Sequence, residues 1–297
     1  MSAPAALESW NGEGVALADV EVALSKLRAA SAPAGGPPDL RTSVMTHLAW
    51  VPEEWLDKAR AALAGMAERH PSRTILLVPD PNSDRDQIDA SVALERYAMP
   101  GVERNVCSEV IELHLRGARA KAPGSVVEPL LVSDLPIFLR WRGEPAWESQ
   151  ELDQLVRITD RLIVDSTEWD DLPYPYRRLA ELFDRAAVSD IAWARTSRWR
   201  ALLASLWPDI AAVGTIRVRG TDAQGQLLAG WLRSRLDRDD IVLEVEPHES
   251  LVGIDLDGEP APFPPGDPPQ PSDVLSDELD RFTRDPVYEA AVLASLQ

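Results

Sequence analysis

Cysteine occurs once in 297 residues, at Cys107, so no internal disulfide can close and no cysteine-rich metal site can form. That usage suits a reducing cytoplasm. Long apolar runs are missing as well, and nothing approaches the roughly 18 consecutive apolar residues that would suggest a membrane span. The first residues, Met1 to Gly14 (MSAPAALESWNGEG), lack the basic and then apolar regions of a secretory signal, so a cytoplasmic location is expected. Positive charge is scarce: 49 acidic side chains face 30 basic ones, a formal charge of -19. Such a surface repels phosphate backbones and anionic lipid heads, so neither nucleic acid nor a membrane is an expected partner. Lysine is limited to Lys26, Lys58 and Lys121. The remaining cations are arginines, which pair with carboxylates in bidentate fashion and stack on aromatic rings; a compositional preference for arginine explains the same numbers.

The usual catalytic and cofactor signatures are absent too. There is no G-x-x-x-x-G-K-[ST] loop, and Gly12 and Gly14 lack the third glycine and the preceding strand of a dinucleotide fingerprint. No G-x-S-x-G or H-E-x-x-H occurs, and His47, His70, His114 and His248 are scattered. Asp80, Asn82, Asp84 and Asp86 open like a calcium loop, but Arg85 stands where glycine is required and Ser91 where the bidentate glutamate belongs. No catalytic residue, cofactor site or metal site is therefore assigned, and no cofactor is expected.

What the chain does contain is an α/β pattern. Residues 1–40 read as a flexible arm, with a Pro/Gly linker at Ser31 to Asp39, carrying one amphipathic helix whose Leu17, Val20, Leu24 and Leu27 form an apolar stripe. A helix between two flexible segments must dock that stripe on something. Residues 41–170 read as an α/β domain with a mixed or largely parallel sheet and covering helices: an apolar stretch Ser43 to Val51, a helix Pro52 to Arg69, strands at Arg73 to Pro79, Ile88 to Ala98, Val106 to Leu115, Pro136 to Trp141 and Arg161 to Asp165, and helices at Gly124 to Val132 and Glu148 to Ile158. After a turn-rich junction at Glu168 to Pro175, residues 171–258 read as a smaller α+β domain. Residues 259–297 form a Pro-rich linker and two C-terminal helices, the second announced by Asp285 as N-cap and Pro286 as first helical residue.

Ten tryptophans stand against four tyrosines and four phenylalanines. The densest run is Ile191 to Pro208. On a single helix from Asp190 to Trp207, Trp199, Leu202, Leu203 and Leu206 would face the core, and Trp193, Arg200 and Trp207 would recur at seven-residue spacing on a second face. Both faces could be buried, with Arg200 stacked between indoles. Alternatively the second face is a partner-binding patch, because tryptophan and arginine are enriched at interface centres. Trp193, Arg200 and Trp207 are thus the first candidate contact, and the Leu17, Val20, Leu24 and Leu27 stripe the second.

Several segments together are similar to a known family. HPSRTILLVPDP (70–81), NVCSEVIELHLRG (105–117), VVEPLLVSDLPIFLRWRGEP (126–145), DRLIVDS (160–166), DIAWARTSRWRALLASL (190–206), LLAGWLRSRL (227–236) and LSDELDRFTRDPVYEAAV (275–292) resemble, in order, the glucose-6-phosphate dehydrogenase assembly protein family, OpcA. The resemblance runs over roughly residues 40 to 292. It implies a non-enzymatic, allosteric partner that promotes assembly or activation of glucose-6-phosphate dehydrogenase, the NADP-dependent entry step of the oxidative pentose phosphate pathway. Some members are linked to thioredoxin-dependent control; a lone Cys107 departs from what an internal thiol switch requires. Two other classes stay open: an enzyme acting on a sugar phosphate or nucleotide with a site assembled from distant residues, and a carbohydrate-binding module that uses exposed tryptophans as stacking platforms.

Overall fold

In a computed structural model of the chain, the described residues are 6–30, 43–63, 70, 72–98, 105–267 and 269–297. The chain divides into two compact units, Met1–Leu162 and Ile163–Gln297. The expected Pro/Gly linker, and the expected continuation of the second helix to Arg69, lie outside the described residues.

The first unit runs β1 (Ala6–Gly12), α1 (Leu17–Ala30), β2 (Thr46–Trp50), α2 (Leu56–Leu63), β3 (Arg73–Asp80), β4 (Ile88–Ala98), β5 (Asn105–Arg116), α3 (Pro123–Val127), β6 (Ile137–Trp141), α4 (Gln150–Arg157) and β7 (Arg161–Val164), in which the division falls. Its sheet has the order β1-β4-β5-β3-β2-β6. Strands β5, β3, β2 and β6 are mutually parallel, and β4 is antiparallel to both β5 and β1. The sheet is therefore mixed, within the α/β class that the alternation of strands and helices implies. In β3, Ile75, Leu76, Leu77 and Val78 are all buried, as happens only where both faces of a strand are covered. On one face α2 closes a core of Ala49, Val51, Leu56, Ala59, Leu76 and Val78.

Helix α1 answers the question of what its stripe docks on. Val20, Leu24 and Leu27 are buried, Leu17 is half-buried, and the helix packs on β4 of its own unit. Glu109 on β5 fixes the helix end: its carboxylate accepts from Arg28 Nε at 2.6 Å and from Arg73 Nε at 2.9 Å. Arg73 also reaches Glu21 at 3.1 Å and the Leu130 carbonyl at 2.6 Å. Burial favours the neutral acid, but the two guanidinium groups hold the Glu109 carboxyl below its ordinary range. The segment preceding α1, expected to be flexible, contains β1: its residues pair antiparallel with β4 along Gly12↔Ala90, Asn11↔Ser91 and Trp10↔Val92. Edge pairing of this kind supplies partners for backbone groups without requiring an apolar alternation in the sequence.

The second unit continues with α5 (Tyr174–Ala180), β8 (Ala187–Asp190), α6 (Ile191–Arg195), α7 (Ser197–Ser205), β9 (Thr215–Gly220), α8 (Asp222–Leu236), β10 (Val242–Pro247), β11 (Gly253–Leu256), β12 (Glu259–Pro260), α9 (Pro271–Leu279) and α10 (Pro286–Ser295). A small sheet of order β10-β9-β11-β12 pairs β9 parallel to β10 and antiparallel to β11. Alternation decides its faces: Ile216, Val218 and Ile254 are buried, and Arg217 and Glu244 form an ion pair in solvent at 2.7 Å. Helix α8 begins with a capping box in which Thr221 and Gln224 exchange side-chain and backbone bonds. Helix α10 packs on α8 where Gly230 has no side chain; a Cβ there would run into the Ala291 carbonyl oxygen.

Candidate partner-binding site

The tryptophan-rich run is not one helix. Asp190 caps α6 by accepting from the Ala192 amide at 2.8 Å, and α6 ends after five residues at Thr196, whose hydroxyl donates to the Trp193 carbonyl at 2.8 Å. Helix α7 then starts anew. That helix ends at Ser205 with Leu206 as its C-cap, so Trp207 lies beyond it and shares no helical face with Arg200, which is the physical reason the expected stripe divides. The structure brings Trp193 and Arg200 together and leaves Trp207 elsewhere.

Trp193 is 2% exposed. Its indole Nε1 donates to Asp285 Oδ2 at 3.0 Å, and its ring lies 5.7 Å from that of Tyr288. The Arg200 guanidinium carbon sits 3.4 Å from the Trp193 ring centroid, and Arg200 Nε donates to Thr196 Oγ1 at 3.0 Å. Burial pushes the Arg200 pKa down to about 10, with Asp285 opposing. Trp207 follows the end of α7 and is 66% exposed. Of the second candidate set, Val20, Leu24 and Leu27 face the interior; the solvent side of α1 instead presents Val22 beside a shallow groove with Trp10, Val15 and Lys26.

Beneath α6 lies a hydrogen-bonded cluster. Asp190 Oδ2 accepts from Ser166 Oγ at 2.6 Å and from Tyr288 Oη at 3.4 Å, Oδ1 accepts from the Ser166 amide at 3.0 Å, and Ser166 Oγ is 2.9 Å from Tyr176 Oη. Full burial and the nearby charge of Asp165 push the Asp190 pKa up to about 7. In the first unit, Glu112 accepts from Arg60 at 2.6 Å and lies 2.8 Å from His114 Nε2. Burial opposes ionisation of Glu112, but these hydrogen bonds and charges hold its pKa at about 2, which makes it a poor general base at neutral pH. Among the described residues no three metal-ligating side chains gather, and no helix is long and apolar enough to cross a membrane.

The opposite side of α7 lines a groove of about 380 Å³ with Arg195, Arg198, Trp199, Leu251, Val252 and Phe263. Arg198 donates to the carbonyls of Pro264 at 3.0 Å, Pro265 at 2.6 Å and Gly266, so it holds the Pro-rich segment against the helix. Trp199 is buried and meets the Phe263 ring at 5.4 Å, yet Phe263 itself is 73% exposed. Arg195 pairs with Asp165 at 3.1 Å. Spacing places Trp199 on a core-facing stripe, and composition reads 259–297 as a Pro-rich linker followed by two C-terminal helices. The one signal that could have pointed here is Phe263 itself, a lone aromatic among seven prolines.

Two family models match in order: one described as the glucose-6-phosphate dehydrogenase subunit N-terminal domain over residues 64–181, and one as its C-terminal domain over 186–262. The chain belongs to the glucose-6-phosphate dehydrogenase assembly protein family, OpcA. Among similar proteins, one from Nostoc punctiforme is 28% identical over 185 residues, covering 58% of this chain and 39% of that protein. One from Synechococcus elongatus is 28% identical over 182 residues, covering 58% and 41%. A third, from Synechocystis, is 27% identical over 184 residues, covering 58% and 38%. All three are described provisionally as the OxPP cycle protein OpcA. The aligned stretch thus spans about two fifths of the length of these OpcA relatives. The OpcA C-terminal model covers α6, α7, β9, α8, β10, β11 and β12 and ends at Pro262, one residue before Phe263, so the helices of the groove lie inside the family match.

Proposed function

We propose that this chain is a non-catalytic partner of glucose-6-phosphate dehydrogenase that binds the enzyme and favours its active oligomer or conformation, in the oxidative pentose phosphate cycle. The observation that carries this reading is the ordered match of both subunit-domain models, 64–181 and then 186–262. The energetic requirement is differential affinity: a factor shifts its partner toward the active state only to the extent that it binds that state more tightly. Adding the purified chain to its cognate dehydrogenase tests this. The expected result is a saturable rise in dehydrogenase activity or a shift in its oligomer size. Unchanged kcat, KM and oligomeric state at saturating addition would falsify the reading.

A further inference from the structure

We propose that the groove between α7 and the Pro-rich segment is the docking site for an extended segment of the partner enzyme that carries a carboxylate next to an aromatic or aliphatic side chain. The inference rests on the functional reading above and deepens it by naming a contact surface.

Charge gives the first argument. The chain carries a formal charge of -19, yet among the described residues the groove is lined by Arg195 and Arg198 and by no aspartate or glutamate. Arg195 is already paired with Asp165, whereas Arg198 donates from Nε and Nη2 to the carbonyls of Pro264, Pro265 and Gly266 and makes no ion pair among the described residues. Carbonyl oxygens satisfy hydrogen bonds without neutralising a charge. Arg198 therefore keeps a full positive charge at the rim of an apolar groove, a local exception on an acidic molecule and the complement of an incoming carboxylate.

Shape gives the second. Phe263 remains 73% exposed although Trp199 lies 5.4 Å away, because the prolines on either side and the Arg198 clamp fix the segment that carries it. Leu251 and Val252 supply the facing apolar wall. A ring held open beside a buried indole leaves apolar area that a partner side chain can cover, and aromatic and arginine residues around one pocket are the usual anchors of protein interfaces. One ligand feature then meets each wall: the apolar side chain enters between Phe263 and Val252, and the carboxylate meets Arg198.

The test uses the full chain and its cognate dehydrogenase, measuring affinity and thermal midpoint for the unaltered protein and for Phe263→Ala, Arg198→Lys, Arg198→Glu and, away from the groove, Trp207→Ala. Phe263→Ala should weaken binding by about tenfold or more with little change in midpoint, since the ring is mostly in solvent. Arg198→Glu should weaken it further, Arg198→Lys should weaken it less because the charge survives, and Trp207→Ala should bind like the unaltered chain. Hydrogen exchange at 250–252 and 263–266 should slow in the complex. Absence of any binding by the unaltered chain overturns the functional reading and the occupant named here with it. Intact binding by the unaltered chain, Phe263→Ala and Arg198→Glu alike, with no protection of those segments, overturns the groove alone.

Discussion

Arg200 lies against Trp193 because two demands meet there: the indole N–H needs an acceptor, found in Asp285, and the ring face then stands open to a cation. Desolvation lowers the guanidinium pKa to about 10, still far above neutrality, so the charge is retained and the cation–π contact with it. Arg200→Ala should therefore lower stability by about 1–2 kcal/mol, through the lost ring contact and the packed stem. Urea unfolding followed by intrinsic fluorescence reads this, and the folded variant should bind the dehydrogenase normally. An unchanged midpoint with weakened binding would return the partner contact to this residue. Composition had already paired Trp193 with Arg200, and their proximity was legible at seven-residue spacing. What was not legible was the break at Thr196, because a hydroxyl that bonds back to a carbonyl three residues earlier can end a helix or leave it undisturbed depending on its surroundings.

Elements whose ends carry local chemistry were the most readable. Asp285-Pro286 predicts the start of α10, and the Asp285 carboxylate does accept from the Val287 and Tyr288 amides at 3.0 Å each. Strand β4 falls where its pattern places it, at Ile88–Ala98. By contrast β1 depends on a partner strand 80 residues away in register, and ALESWNG offers no alternation to reveal it. The contact of α10 with α8 was equally invisible, since it rests on a missing side chain. Gly230 leaves room for the Ala291 carbonyl and the Ser295 amide, and any Cβ would press on backbone that cannot rotate away. Gly230→Ala should force α10 outward and cost about 1–3 kcal/mol despite alanine's better helix propensity. Limited proteolysis should then cut near 281–285 in the variant under conditions where the unaltered chain resists; equal resistance and an equal urea midpoint would contradict this account of the packing.

Over the whole molecule, two buried titrating groups give the two units opposite responses to acid. His47, in the first unit, is 1% exposed with neither ring nitrogen hydrogen-bonded among the described residues, and burial together with the charges of Arg140 and His70 pushes its pKa down to about 4. In the unfolded chain a histidine takes up its proton near pH 6.5. Between about pH 6.5 and 4 the unfolded state thus binds more protons, and the first unit loses stability as pH falls. Asp190, in the second unit, behaves in the reverse sense: burial raises its pKa to about 7, against an unfolded value near 3.9. Between about pH 4 and 7 the folded state binds more protons, so its contribution is fully present below the unfolded pKa and disappears as pH rises through 7. Glu112, held at about 2, titrates below this window. Urea midpoints measured from pH 7.5 to 4.5 should consequently separate three proteins. Relative to the unaltered chain, His47→Gln should lose less stability on acidification. Asp190→Asn, which keeps an acceptor for the Ser166 and Ala192 amides, should lose more, because the compensating protonation is gone. Hydrogen exchange corrected for its intrinsic pH dependence should assign the first effect to β2 and β3 and the second to α6 and α10. If both variants run parallel to the unaltered chain across this range, neither group is buried in the protonation state described, and the polar interiors of the two units must be satisfied in another way.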